Sequence, residues 1–112
     1  MKEPINNGSS HNMLAAGTKI VGSIITETDI RIDGELDGEL ICSNKVIVGT
    51  TGFIKGVITC NNAEVMGKIE GKITSSEVVS LKATANFQGD IVTKIISIEP
   101  NAVFTGTCKT EK

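Results

Sequence analysis

The stretch Leu36-Asp37-Gly38-Glu39-Leu40 decides the fold. Two apolar residues flank a glycine, each separated from it by one spacer. The phrase returns as Ile20-Val21-Gly22-Ser23-Ile24, Ile54-Lys55-Gly56-Val57-Ile58, Ile69-Glu70-Gly71-Lys72-Ile73, Phe87-Gln88-Gly89-Asp90-Ile91 and Phe104-Thr105-Gly106-Thr107-Cys108. The central glycines are spaced by 16, 18, 15, 18 and 17 residues. A steady period of this length, too short for a helix pair, marks a solenoid with one strand-rich coil per repeat.

Around the phrase, apolar residues fall into columns with the two-residue period of a strand that buries one face. One column is Ile30, Val46, Ala63, Val79 and Ile96, and the next is Ile32, Val48, Val65, Leu81 and Ile98. A third runs Ile20, Leu36, Ile54, Ile69, Phe87 and Phe104, and a fourth Ile24, Leu40, Ile58, Ile73, Ile91 and Cys108. Small residues follow two positions on: Thr26, Cys42, Cys60, Ser75 and Thr93. The columns align only if some corners are two residues longer, at 49–52, 82–86 and 99–102. Pro100, which lacks an N–H, belongs at such a corner. The glycines share the parity of the buried columns, so the chain bends there or another wall comes close. Helix is excluded, because each interior glycine costs about 1 kcal/mol in a helix and the period is wrong. The fold class is therefore all-β, a parallel β-helix of about six coils.

The expected boundaries are a flexible N-terminal tail over 1–16, a β-helix over 17–108 and a short C-terminal tail over 109–112. Asp37, Lys55 and Glu70 alternate in sign along one outer column, and Lys72 neighbours Asp90. Such exposed pairs are worth tenths of a kcal/mol, about 0.2–1, and serve register more than stability. Asp29, Asp33, Asp37 and Glu39 read as solvated outer surface.

Composition excludes several functions. The 112 residues carry a net charge of −2, with three Phe and no Trp or Tyr. Neither a basic field nor a stacking platform for nucleic acid is present. No segment approaches the roughly 20 apolar residues of a membrane helix, and no apolar signal region opens the chain. Three cysteines give no disulfide framework, so a reducing, cytoplasmic setting is expected. Cys42 and Cys60 read as small buried hydrophobes, with a redox pair as the alternative.

The one histidine, His11, lies in the expected tail. Hexapeptide-repeat acyltransferases have coils of similar length and work through a histidine base, so that enzyme class lacks its acid–base group here. Phosphate loops, two-cysteine zinc spacings and nucleophile elbows are missing from the sequence. The expectation is no enzyme, no catalytic residue, no cofactor, no metal and no nucleotide. A non-polymerising binding module remains the other competing class. Thr59 and Thr74 share an outer column, but Ile25, Ile41 and Val92 interrupt any flat threonine array.

Thr18-Lys19-Ile20-Val21-Gly22-Ser23-Ile24, Asp29-Ile30-Arg31-Ile32-Asp33-Gly34, Lys45-Val46-Ile47-Val48-Gly49 and the closing Phe104-Thr105-Gly106-Thr107-Cys108 resemble the bactofilins. The resemblance spans nearly all of 17–108. It implies a right-handed helix that polymerises end to end, without nucleotide, into non-polar cytoskeletal filaments in which like ends meet. It further implies a scaffold for cell-wall enzymes or their membrane-bound regulators, often attached to the inner face of the membrane by the N-terminal tail.

Elementary physics favours the same behaviour, since an uncovered β-helix end exposes a strand edge and core. The expected C-terminal contact is Phe104 with Ile96, Ile98 and Cys108. The expected N-terminal contact is Ile20, Val21, Ile24 and Ile30. Met1, Met13 and Leu14 are the expected lipid contacts of the tail. The principal partner is the chain itself.

Overall fold

Period-two alternation, repeated in every coil, produces ten strands and no helix among residues 11–110, which the computed structural model describes. The strands are β1 (His11–Leu14), β2 (Lys19–Thr26), β3 (Asp29–Ile32), β4 (Glu35–Cys42), β5 (Lys45–Val48), β6 (Phe53–Val65), β7 (Lys68–Leu81), β8 (Asn86–Thr93), β9 (Ile95–Ile98) and β10 (Val103–Thr110). Every pairing is parallel. The result is a β-solenoid of six coils, each a short strand, a corner and an eight-residue strand with glycine in its middle. β6 and β7 run from one coil into the next, with a register shift between Cys60 and Asn62.

The four apolar columns align as the repeats require. Ile30 pairs with Val46, Ile32 with Val48, Leu36 with Ile54 and Leu40 with Ile58, and the later coils follow suit. Their side chains form one continuous core in which Ile32, Leu36, Ile54, Ile69 and Phe87 are fully buried. Full burial of such a side chain contributes about 1.5–3 kcal/mol.

The glycines also stack in register, from Gly22 on Gly38 to Gly89 on Gly106. Their φ angles lie between +136° and +149°, which turns each long strand at its middle. The space denied to a side chain points along the stack. A Cβ at Gly38, Gly56, Gly71, Gly89 or Gly106 would run into the carbonyl oxygen of the glycine one coil earlier.

Corner lengths follow the expected pattern. The long corners are turns closed by Gly52 N–H to Gly49 O (2.8 Å), Ala85 N–H to Lys82 O (2.9 Å) and Ala102 N–H to Glu99 O (3.2 Å). Pro100 sits in the last of these, followed by Asn101 at φ +80°, a conformation that asparagine tolerates. Residues 15–18 form a similar turn. Between the long corners lie tight ones at Asp33-Gly34 and Met66-Gly67. A Cβ at Gly34 would strike Thr18 O and Ala15 O, so the tight corner nests against the wide turn before it.

Several boundaries need correction. The expected tail over 1–16 is a strand at its end: β1 pairs Asn12 with Ile30 and Leu14 with Ile32. Asn12-Met13-Leu14 has the in–out–in order of Ile30-Arg31-Ile32, but asparagine at an inward position concealed it. Its amide nitrogen donates to Thr26 Oγ1 (2.9 Å) and Thr28 Oγ1 (3.0 Å), which meets its polar demand. At the other end Lys109 and Thr110, expected as tail, continue β10 against Val92 and Thr93. Asp33 is not outer surface. It is buried at a tight corner, where the alternation stops, and accepts from Arg31 Nε at 2.9 Å.

The outer charge columns exist in register, Asp37 beside Lys55 and Lys55 beside Glu70. The ion pairs fall elsewhere. Glu70 closes with Lys68 in its own strand (3.4 Å), while Lys19–Glu35 (3.6 Å) and Lys82–Glu99 (3.4 Å) bridge coils. The small column seals corners. Ser75 Oγ donates to Asn61 O (2.6 Å), Thr93 Oγ1 to Glu77 O (3.1 Å) and Cys42 Sγ to Thr28 O (3.3 Å).

Gly71→Ala would force a side chain against Gly56 while holding φ near +143°. The expected loss is at least about 1–3 kcal/mol from the backbone conformation alone. A thermal melt followed by circular dichroism should show a clearly lowered Tm.

Candidate polymerisation interface

The coil that begins the stack and the coil that ends it each have one side without a covering strand among the described residues. β10 pairs only with β8, and β9 only with β7. β2 pairs only with β4, and β1 only with β3. Each end therefore presents strand-edge N–H and C=O groups together with core columns cut across.

At the C-terminal end the structure brings together the four expected residues. Phe104 packs on the fully buried Phe87 with ring centroids 5.6 Å apart and planes tilted by 43°. Its own outer side is half-exposed because no coil covers it. Ile96 is half-buried, Ile98 is 48% exposed, and Cys108 is exposed where the column otherwise carries Leu or Ile. Val103 and Ile95 add apolar surface on the outer rim, and neither was singled out from the sequence. The signal available for them was an apolar residue at an outward position of the last coil.

The N-terminal end is composed differently from expectation. Ile20 and Ile24 lie half-buried at the top of their columns. Ile30 is 4% exposed, because Asn12 of β1 covers it, so it is core and not end surface. Asn12 takes the place expected for Ile30. Val21 is 73% exposed but points outward, beside Ile25 at 75%. It lies on the rim of this end and not in the cut columns.

Leu14 is likewise corrected as a lipid contact, since it is buried against the core. Met13 points outward and is well exposed, and Met1 lies outside the described residues. No helix among the described residues is long and apolar enough to cross a membrane.

The interior holds little reactive chemistry. Cys42 and Cys60 are buried free thiols. Burial raises the Cys42 thiol, with Asp29 adding to the effect. Burial, then the neighbouring Cys42, pushes Cys60 up to about 12. A thiol held protonated is a poor nucleophile at neutral pH. Among the described residues no group of three His, Cys, Asp or Glu side chains is placed to hold a metal ion.

A parallel β-solenoid whose two end coils lack a covering strand among the described residues has edges open to pairing with another chain. The chain belongs to the bactofilins: the family model described as polymer-forming cytoskeletal matches residues 12–109. No match is found among curated proteins. Three solved structures are similar in fold. The bactofilin of Thermus thermophilus in double helical filaments, seen by electron cryo-microscopy, aligns with a TM-score of 0.82 at 24% identity, over 89% of this chain and 99% of that one. A Phe-to-Arg crystal variant of the Thermus thermophilus protein aligns at 0.76 and 24%, over 80% and 100%. The cytoskeletal bactofilin BacA, solved by solid-state NMR, aligns at 0.81 and 30%, over 91% and 97%. The chain is thus a member of a polymer-forming cytoskeletal family, and that family is structural rather than enzymatic.

Thiol labelling should separate the cysteines. In the folded, unassembled protein at pH 8, Cys108 should react within minutes, and Cys42 and Cys60 only after denaturant is added. Mass spectrometry of the labelled peptides reads the order.

Proposed function

We propose that this chain assembles end to end, through like ends and without nucleotide, into non-polar filaments that scaffold cell-envelope proteins. The observation that carries this reading is the pair of cut core columns, with Phe104 half-exposed on one of them. Placing a second copy's coil on either end would continue the apolar columns and pair the free strand edges. Like ends meeting creates two different two-fold contacts, and alternating them gives an open fibre. Assembly of this kind uses burial and hydrogen bonding alone, so it requires no phosphate site. The Thermus thermophilus relative, described in double helical filaments, supports a filament as the assembled state.

On this reading Phe104, Ile96, Ile98 and Cys108 form one contact, and Ile20 and Ile24 the apolar part of the other. Asn12 lies within the second contact with its amide nitrogen already bonded to Thr26 and Thr28. Val21 contributes at its edge.

Phe104→Arg places a charge in a surface that assembly would desolvate. An unpaired charge there costs about 3–5 kcal/mol, which is a loss of at least two orders of magnitude in association. The variant should remain folded by circular dichroism and show no filaments by negative-stain electron microscopy. Filaments in the variant would remove Phe104 from the contact.

Attachment to the inner face of the membrane is the second part of the proposal. It would use the segment preceding β1 together with Met13, whose side chain is well exposed. Repetition along a filament would multiply a weak contact. Deleting residues 1–10 spares β1 and hence the cover over Ile30 and Ile32. Filaments of this deletion should assemble normally but lose flotation with anionic liposomes, and undiminished flotation would place the lipid contact on the β-helix.

A further inference from the structure

We infer that the two contacts between like ends are antiparallel strand pairings centred on the glycines, Gly106 opposite Gly106 of a second copy and Gly22 opposite Gly22. The inference rests on the like-ends reading above and specifies its register. Inside the chain every coil travels in the same sense, so all pairings are parallel. A two-fold axis perpendicular to the stack reverses the sense of travel in one copy. The long strands that meet across such a contact run in opposite directions.

An antiparallel contact continues the columns only if the strand reads alike in both directions. The repeated phrase does so. Apolar, spacer, glycine, spacer, apolar is symmetric about its centre, as in Phe104-Thr105-Gly106-Thr107-Cys108 and Ile20-Val21-Gly22-Ser23-Ile24. With glycine opposite glycine, Phe104 lies against Cys108 of the second copy, and Ile20 against Ile24. A shift of one residue would set inward positions on outward ones. A shift of two would set a glycine against an apolar side chain and displace the bends, which both copies carry at φ near +138° and +137°.

At the C-terminal end the short strand obeys the same axis. Ile96-Ser97-Ile98 is symmetric about Ser97, so Ile96 meets Ile98 of the second copy while the glycines meet across the coil. The N-terminal face is also clear at the centre of this register. The five later strand-centre glycines have a carbonyl where a Cβ would stand, but nothing among the described residues lies within 4 Å of that position at Gly22. The backbone of a second copy can approach Gly22 as closely as one coil approaches the next.

The register makes Thr105 of one copy the neighbour of Thr107 of the other, both side chains being exposed at the outer surface. Opposite residues in an antiparallel pair have Cβ atoms about 4.5–5.5 Å apart, and diagonal ones stand farther off at about 7–8 Å. Thr105→Cys and Thr107→Cys are each made with Cys108→Ala, co-assembled from unfolded chains and oxidised with copper phenanthroline. The mixture should yield a disulfide-linked dimer, and neither variant alone should. Filaments in which the mixture gives no dimer, or in which Thr105→Cys links to itself, would overturn the register. A dimer between Thr105→Cys and Val21→Cys would show head-to-tail growth and overturn both register and like-ends contact. If Cys108→Ala prevents filaments, the same mixture is oxidised with Cys108 retained and the linked peptides are identified by mass spectrometry. Wild-type protein that never forms filaments would overturn the end-to-end reading itself.

Discussion

The close approach of one coil's backbone to the next governs this structure. Parallel strands hydrogen-bond at about 4.8 Å, and a chain that winds on itself must hold that spacing at its bends as well as on its flat sides. At the middle of each long strand the carbonyl of one coil occupies the place where the next would carry a Cβ. Only glycine satisfies both the positive φ and the lack of space. The columns on either side of it then have fixed positions, and Leu36, Ile54, Ile69 and Phe87 fill one continuous core along the stack.

What the sequence disclosed and what it hid follow from the same constraint. Residues repeating in register under a two-residue period were legible, which is why the four columns and the long corners agree with the structure. Departures occur where one coil substitutes a different chemistry at a repeated position. Asn12 stands where later coils have Ile, Val or Ala, so β1 reads as tail and Ile30 as an end residue. Asp33 lies at a corner too short to continue the alternation, and its burial depends on Arg31 beside it. The ion pairs were misplaced because alignment of charges across strands does not specify rotamers, and Glu70 has Lys68 closer in its own strand. The corner-sealing role of Ser75 and Thr93 needed the carbonyl positions of the neighbouring corner, which no spacing rule conveys.

The end residues were legible to a different degree. Phe104, Ile96, Ile98 and Cys108 belong to the last repeat and were located by counting. The first repeat cannot be counted correctly without β1, so Asn12 does not read as part of that face. The two ends also differ in character. One exposes an aromatic ring backed by another ring, while the other has a bonded asparagine among its apolar side chains. The thiols in the middle of the stack are held protonated by burial, which leaves the interior chemically quiet and places whatever specificity the rod has at its ends and on its outer sides.

Through the first five coils wide turns alternate with tight corners, so the repeating unit there is two coils, while the last two corners are both wide. Gly38 to Gly71 and Gly56 to Gly89 each span 33 residues. Inserting or deleting such a double coil in the middle would leave both terminal faces, their glycines and their outermost side chains as they are. The rod would gain or lose about 10 Å of height per module, while its cross-section stayed constant. In a fibre built from such rods, the number of subunit boundaries per unit length would then be set by the count of double coils. Boundaries are the places where a fibre breaks, so the number of modules in the gene would tune its lifetime and persistence independently of the chemistry that joins one rod to the next.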